Sequence, residues 1–218
     1  MKSRYYATAL LMVAAAALAF FHFLAALPAT VPVHWNIEGH ADGYGSPWML
    51  FALGPVLMAA MGAIFMVLPW LSPKRFEVSS FERAYLHIML IVVALPGYFF
   101  AVSLWAAAHG AVDVARAVAC GLCLMAILLG NLLGKVRRNF YIGFRTPWTL
   151  ASERVWYATH RFGAKVVVAA GALGLAIAVA GLPPWIAIAS IVSAFLAPIA
   201  YSLVYYKRLA RTGMLEVS

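Results

Sequence analysis

The fold class this sequence predicts is all-α: a multi-pass membrane protein with six spanning helices. Three observations carry the prediction. Of 218 residues, 65% are hydrophobic and 11% charged, with a mean hydropathy of +0.90. A soluble domain needs roughly a quarter or more of its surface charged. The apolar residues gather into six runs, each close to the ~20 residues that cross a hydrocarbon core. Lys and Arg fall almost entirely on alternate connecting loops, as they do when one side of a membrane is the cytoplasm.

The runs are 5–27, 48–71, 84–108, 114–133, 164–181 and 185–206. The first follows Lys2 and Arg4, like a signal peptide, but its apolar core exceeds the roughly 7–15 residues of such segments, so it reads as a permanent helix. Trp48, Trp70, Trp185, Tyr5, Tyr6, Tyr205 and Tyr206 stand at span ends, the interfacial depth aromatic rings prefer. Pro96-Gly97 in the third span and Pro198 in the sixth predict kinks, which either open a crevice or accommodate packing. Cys120 and Cys123 lie one turn apart in the fourth span. Their C-x-x-C spacing lacks a βαβ context or a second ligand pair, so they read as small packing residues. No internal repeat is visible, which argues against inverted-repeat transport. The whole chain, 1–218, reads as a single membrane domain.

Orientation follows from the basic residues. Lys2 and Arg4; Lys74, Arg75 and Arg83; Lys135, Arg137, Arg138, Arg145, Arg154, Arg161 and Lys165; and Lys207, Arg208 and Arg211 share one side, leaving Arg116 alone on the other. Both termini are therefore expected in the cytoplasm, with loops 28–47, 109–113 and 182–184 outside and 72–83 and 134–163 inside. The net charge of +9 then serves topology and anionic lipid headgroups, with no direct nucleic-acid contact. No Asp, Glu, Lys or Arg lies mid-span, against a proton pump. The polar residues within spans are His22, His87 and Asn131. Asn131 is the best candidate among them because it leads into the inner loop.

Outside, Pro28 and Pro32 favour extended backbone, and Asp42-Gly43 and Tyr44-Gly45 favour tight turns. His34, His40 and Asp42 match no standard metal spacing, so neither metal nor cofactor is expected. Trp35 and Tyr44 are expected to pack the loop, with Asn36 and Asp42 bonding turn backbone. Inside, Pro147 restricts Thr146 to extended geometry, and Thr149 or Ser152 can cap a short interfacial amphipathic helix running to about Phe162. Its expected apolar face is Ala151, Val155, Ala158 and Phe162. Trp156 and His160, four apart, can stack, with Thr159 and Gly163 beside them. With Asn139 and Arg145 they form a candidate face for an anionic group or an acidic partner segment. No nucleophile–base arrangement, phosphate-cradling loop or carboxylate pair is present, so no enzyme is expected.

Two motifs carry a resemblance. Pro32-Val33-His34-Trp35-Asn36 with Gly39 and Asp42-Gly43-Tyr44 resembles the outer-loop signature of a DUF1648-type domain, placed here within 1–71. Asn139-Phe140-Tyr141-Ile142-Gly143-Phe144-Arg145-Thr146-Pro147-Trp148-Thr149-Leu150, followed by Trp156 and Thr159-His160-Arg161, resembles the cytoplasmic signature of the SdpI/YfhL family of bacterial membrane proteins, placed here within 114–206. The resemblance implies a non-enzymatic immunity protein of the bacterial cytoplasmic membrane, acting against a secreted, membrane-active peptide toxin. It also implies a second partner, a cytoplasmic repressor held at the membrane. His34, Trp35, Asn36, Gly39, Asp42, Gly43 and Tyr44 would then meet toxin or shape the outer loop. Asn139, Gly143, Arg145, Thr146, Pro147, Trp148, Trp156, Thr159 and His160 would serve the inner partner. A small-molecule or lipid transporter lined by the kinked spans is the alternative. An inner-leaflet enzyme using His160 and Arg145 is the third reading.

Overall fold

The structure, a computed structural model, describes residues 2–73, 78–110 and 112–215. Lys74 and Arg75, counted on the basic side, and Ala111 of the 109–113 turn lie outside the described residues. Among the described residues, six helical segments are long and apolar enough to cross a membrane. In chain order the elements are α1 (Lys2–Leu24), β1 (Val31–Trp35), β2 (Ala41–Gly45), α2 (Pro47–Phe51), a π-helical turn (Ala52–Val56), α3 (Leu57–Leu71), a 3-10 turn (Val78–Phe81), α4 (Glu82–His109), α5 (Val114–Leu133), α6 (Pro147–Ala151), α7 (Glu153–Val179) and α8 (Pro184–Arg211).

Local chemistry sets these boundaries. Ser46 caps α2 and Pro47 occupies its first turn, where a missing N–H costs nothing. Pro55 sits inside the π-helical turn that joins α2 to α3, the wider winding that accommodates an interruption within a span. Pro69 cannot donate to the Phe65 carbonyl one turn back. The buried Tyr85 hydroxyl of α4 donates to that carbonyl instead, at 2.6 Å. Gly110, at φ 80°, ends α4 and bonds the Ala106 carbonyl, the usual left-handed stop.

Arg116, set apart in the sequence from the other Lys and Arg residues, has a specific task. The Asp113 carboxylate caps α5 through the Arg116 N–H at 3.0 Å and pairs with Arg116 Nε at 2.8 Å. These bonds, the backbone one first, hold the Asp113 carboxyl below the usual carboxylate range. Arg116 Nη1 in turn donates to the Ala178 carbonyl at 2.5 Å, in the last turn of α7. A cation there meets the negative end of the helix dipole and adds a second donor to a carbonyl that also accepts the Gly181 N–H at 3.3 Å.

Two cores result. α1, α3 and α4 close around Tyr85, Met89 and Val93. α7 packs most extensively against α5 and α8, through small residues that let backbones approach. A Cβ at Gly171 would lie 2.9 Å from the Cys123 carbonyl, and one at Gly174 would lie 2.8 Å from Cys123 Sγ. Both cysteines are free and Cys123 is buried, as packing residues should be.

The six-span, mostly helical class stands, with two departures in detail. The outer loop folds as an antiparallel hairpin of β1 and β2, pairing Val31 with Gly45 and Trp35 with Ala41. The single interfacial helix is a correction: Ala151 ends the short α6, and the rest, to Phe162, are the first turns of α7, which begins at Glu153 and runs unbroken through the fifth span. Of the apolar face expected there, only Val155 is buried; Ala151, Ala158 and Phe162 are half-exposed. The buried face is instead Val155, Trp156, Thr159, His160 and Gly163.

Candidate functional site

The polar segment between α5 and α7 folds into a compact plug against the bundle, at the end of the molecule that carries the basic residues. Asn139 organises it. Its side-chain amide donates to the carbonyls of Arg137 at 2.8 Å and Ile142 at 3.1 Å. Its Oδ1 accepts from the N–H groups of Tyr141 and Ile142, both at 2.7 Å. The residue is fully buried, and its bonds replace the backbone pairing that a helix or sheet would supply.

The first turns of α7 grip this plug. Trp156 Nε1 donates to the Val136 carbonyl at 2.8 Å. His160 stacks on Trp156, ring centroids 4.0 Å apart. Phe144 donates its backbone N–H to His160 Nε2 at 3.0 Å, and His160 Nδ1 lies 2.8 Å from the Trp156 carbonyl. Because a backbone N–H can only donate, Nε2 must accept, so the imidazole is neutral with its proton on Nδ1. Gly143 lies at φ 110°, and a Cβ there would stand 2.2 Å from His160 Nε2. Only glycine fits.

Further along, Thr146 caps α6 in a reciprocal box with Thr149, as Thr-Pro-x-Thr allows. Thr149 Oγ1 also donates to the Phe144 carbonyl at 2.7 Å. The Thr146 and Ser202 hydroxyls meet at 3.2 Å, tying the plug to α8. Ser152 caps α7. Arg138 is buried; its Nη1 donates to the Leu150 carbonyl at 3.1 Å, and Nη2 lies 3.9 Å from Glu153. Arg145 donates to the Phe140 carbonyl yet remains exposed.

The structure therefore divides the sequence-predicted residues of this loop. Asn139, Trp156, Thr159 and His160 are buried. Arg145 and Pro147 are exposed, and Gly143, Thr146 and Trp148 are half-buried. Thr159 Oγ1 is buried without a hydrogen-bond partner among the described residues. Asn131 sits exposed on α5 and joins none of them. Arg138, Thr149, Ser152 and Ser202 are not among the site residues the sequence points to, though it offers Thr149 and Ser152 as helix caps, and Ser152 does cap α7.

At the opposite end the hairpin is a second unit. Asn36 Oδ1 accepts the N–H groups of Glu38 at 3.1 Å and His40 at 2.9 Å. Gly39, at φ 85°, seats the turn on Ala115 at the start of α5. Asp42 differs from the expectation: it bonds the His34 imidazole at 2.5 Å rather than turn backbone. The strands place the two residues side by side, and a Cβ at Gly43 would press on His34 Cβ at 2.8 Å. Tyr44 is exposed and Trp35 half-buried. Cavities of about 260 and 320 Å³ flank Trp35, sharing Val33, Val114 and Val118 as walls.

Both units fall within stretches that match known families. A model of the SdpI/YfhL protein family matches residues 135–202, and a model described as a domain of unknown function, DUF1648, matches residues 9–59. The chain is also 30% identical over 146 residues to the Immunity protein SdpI of Bacillus subtilis (strain 168), covering 66% of this chain and 67% of that protein. The chain belongs to the SdpI/YfhL family. No solved structure matches it. Within this SdpI/YfhL chain, the first match takes in the plug, α6, α7 and most of α8. The second takes in most of α1, the hairpin and the start of the second span. Each family stretch thus contains one of the two polar units, at opposite ends of the bundle.

Proposed function

We propose that this chain is a non-enzymatic immunity protein of the bacterial cytoplasmic membrane, protecting its cell against a secreted, membrane-active peptide toxin. The similarity to the Immunity protein SdpI carries this reading. The basic end faces the cytoplasm, with both termini, because that side gathers Lys and Arg. The hairpin faces outward. Toxin meets the hairpin there, and an apolar peptide segment fills the two cavities beside Trp35, an aromatic anchor in a desolvated groove. His34, Asn36, Asp42, Gly39 and Gly43 hold the hairpin's shape, and Tyr44 extends its surface.

Inside, Arg145 and Pro147, edged by Gly143, Thr146 and Trp148, present a surface to an acidic segment of a cytoplasmic protein such as a repressor. Asn139, Trp156, Thr159 and His160 act behind that surface by fixing its form. Both ring nitrogens of His160 are committed to backbone groups, which supports a holding role over acid–base chemistry. α5 joins the two ends. The hairpin turn rests on its start at Ala115, and the plug begins at its end. A shift of this rigid element on toxin binding would couple the faces.

Expression in a toxin-sensitive host tests the reading. Cells carrying the chain should grow at toxin levels that stop the parent strain, and Trp35→Ala at equal membrane abundance should lose that protection. Unchanged sensitivity with the unaltered chain present in the membrane would sink it.

A further inference from the structure

We propose that the plug and three spanning helices form a binding site for one acyl chain of an anionic phospholipid, with Arg145 holding the phosphate. A cavity of about 390 Å³ lies under the plug. Ile88 of α4, Leu129 and Leu133 of α5, and Phe195 and Ile199 of α8 supply its apolar walls, and the plug residues Ile142 to Thr146 close its other side. Arg145 lines the rim and is exposed. One guanidinium N–H bonds the Phe140 carbonyl, leaving the fork's other donors for a phosphate.

Depth selects the occupant. At 1.5 Å per residue, Leu129 and Ile88 lie roughly 6–9 Å in from the basic-end termini of α5 and α4. That is the level of acyl chains just beneath the headgroups. The volume is near the low end of ligand pockets, which run from about 300 Å³ upward, so the cavity takes one chain rather than a whole lipid. Burying a chain here gains little over leaving it in the bilayer, since lipid tails are as apolar as the walls. Selectivity therefore rests on charge at the rim, and an anionic headgroup complements Arg145. The occupied cavity would touch Gly143 and Phe144, the residues His160 fixes, so a bound lipid would brace the surface assigned to the inner partner. The leaflet is the cytoplasmic one on the orientation proposed above; the site itself does not depend on immunity.

Native mass spectrometry of the full chain in mild detergent tests this, with phosphatidylglycerol, phosphatidylcholine and inorganic phosphate as probes. One phosphatidylglycerol should be retained per chain, at least about fivefold over phosphatidylcholine, as one cationic contact provides. Ile199→Trp, which fills the cavity from a partly exposed position, should lower retention at least about fivefold. Leu129→Phe, a milder filler, should lower it in the same direction. Arg145→Gln should erase the headgroup preference. Equal retention of both lipids, retention unaltered in both filling variants, displacement by inorganic phosphate, or a dimer mass that excludes lipid would overturn the proposal. No toxin is used, so failure here is separable from failure of the immunity reading.

Discussion

Replacing Asn139 with alanine is expected to destabilise the folded chain more than any other single change in the plug. The substitution strands two backbone N–H groups and two carbonyls that the amide now satisfies. A fully buried orphan costs about 1–3 kcal/mol; these groups are part-buried and relaxation toward water recovers part of that, so a net loss of about 3–5 kcal/mol is the expected size. At roughly 2–4 °C per kcal/mol for a chain of this length, the apparent Tm in detergent should fall by about 10 °C. Asn139→Asp separates the two halves of the network. It keeps the acceptors for Tyr141 and Ile142 but turns a donor into a charged oxygen facing the Arg137 and Ile142 carbonyls, so it should be no milder than alanine. A thermal unfolding series of the two variants checks this. An Asn139→Ala protein within 2 °C of the parent, at about that tolerance, would mean the amide is not what shapes the loop.

The second large effect joins Gly143 to His160. Gly143→Ala should cost about 2–4 kcal/mol, because alanine is strained at φ 110° and its Cβ would stand 2.2 Å from Nε2. The ring must then swing away, breaking the bond from the Phe144 N–H and the stack on Trp156. His160→Ala should cost a similar amount, through a cavity and an orphaned Phe144 N–H. The two losses should not add. Once the ring is gone, the new methyl group has room, and only the backbone strain of about 1–2 kcal/mol remains. A double-mutant cycle read by unfolding should therefore show a coupling of about 1–2 kcal/mol. Strict additivity would deny that the glycine exists to admit the imidazole.

The spans were legible because hydrophobicity and width are properties of a run, and each run is bounded by charge or by proline and glycine. Val114–Leu133 is found where the sequence places it. The Ser152 cap of α7 was legible, but the buried face of its first turns and their continuity with the fifth span were not, for a physical reason. Hydropathy reads buried as apolar, yet the buried face of these turns carries Thr159 and His160, and the loop's own backbone satisfies the imidazole. A helix whose partner is a peptide loop looks like a surface segment when judged by side chains alone. The hairpin escaped for the opposite reason. Its second strand, Ala-Asp-Gly-Tyr-Gly, holds two glycines and one aspartate, residues depleted in strands, and pairing imposed by the turn at Asn36–His40 overrides that preference.

The stacking of Trp156 on His160 was legible from a spacing of four. Whether that pair faced out to a partner or in to the loop was not, because sequence spacing places residues on one face without saying what covers it. The same limit applied to Arg116. Its isolation on the sparsely charged side was plain, but the carbonyl of Ala178 lies 62 residues away in the chain.

Everything assigned to a face depends on which side each end occupies. With Cys120 and Cys123 replaced by alanine, single cysteines at Ile37 on the hairpin turn and at Arg154 on the exposed face of α7 can be probed in spheroplasts with a membrane-impermeant maleimide. Ile37→Cys should label at once, and Arg154→Cys only after the membrane is opened. Labelling of Arg154→Cys in sealed cells, with Ile37→Cys protected, would invert the molecule and contradict the assignment of sensing to the hairpin and partner recognition to the plug.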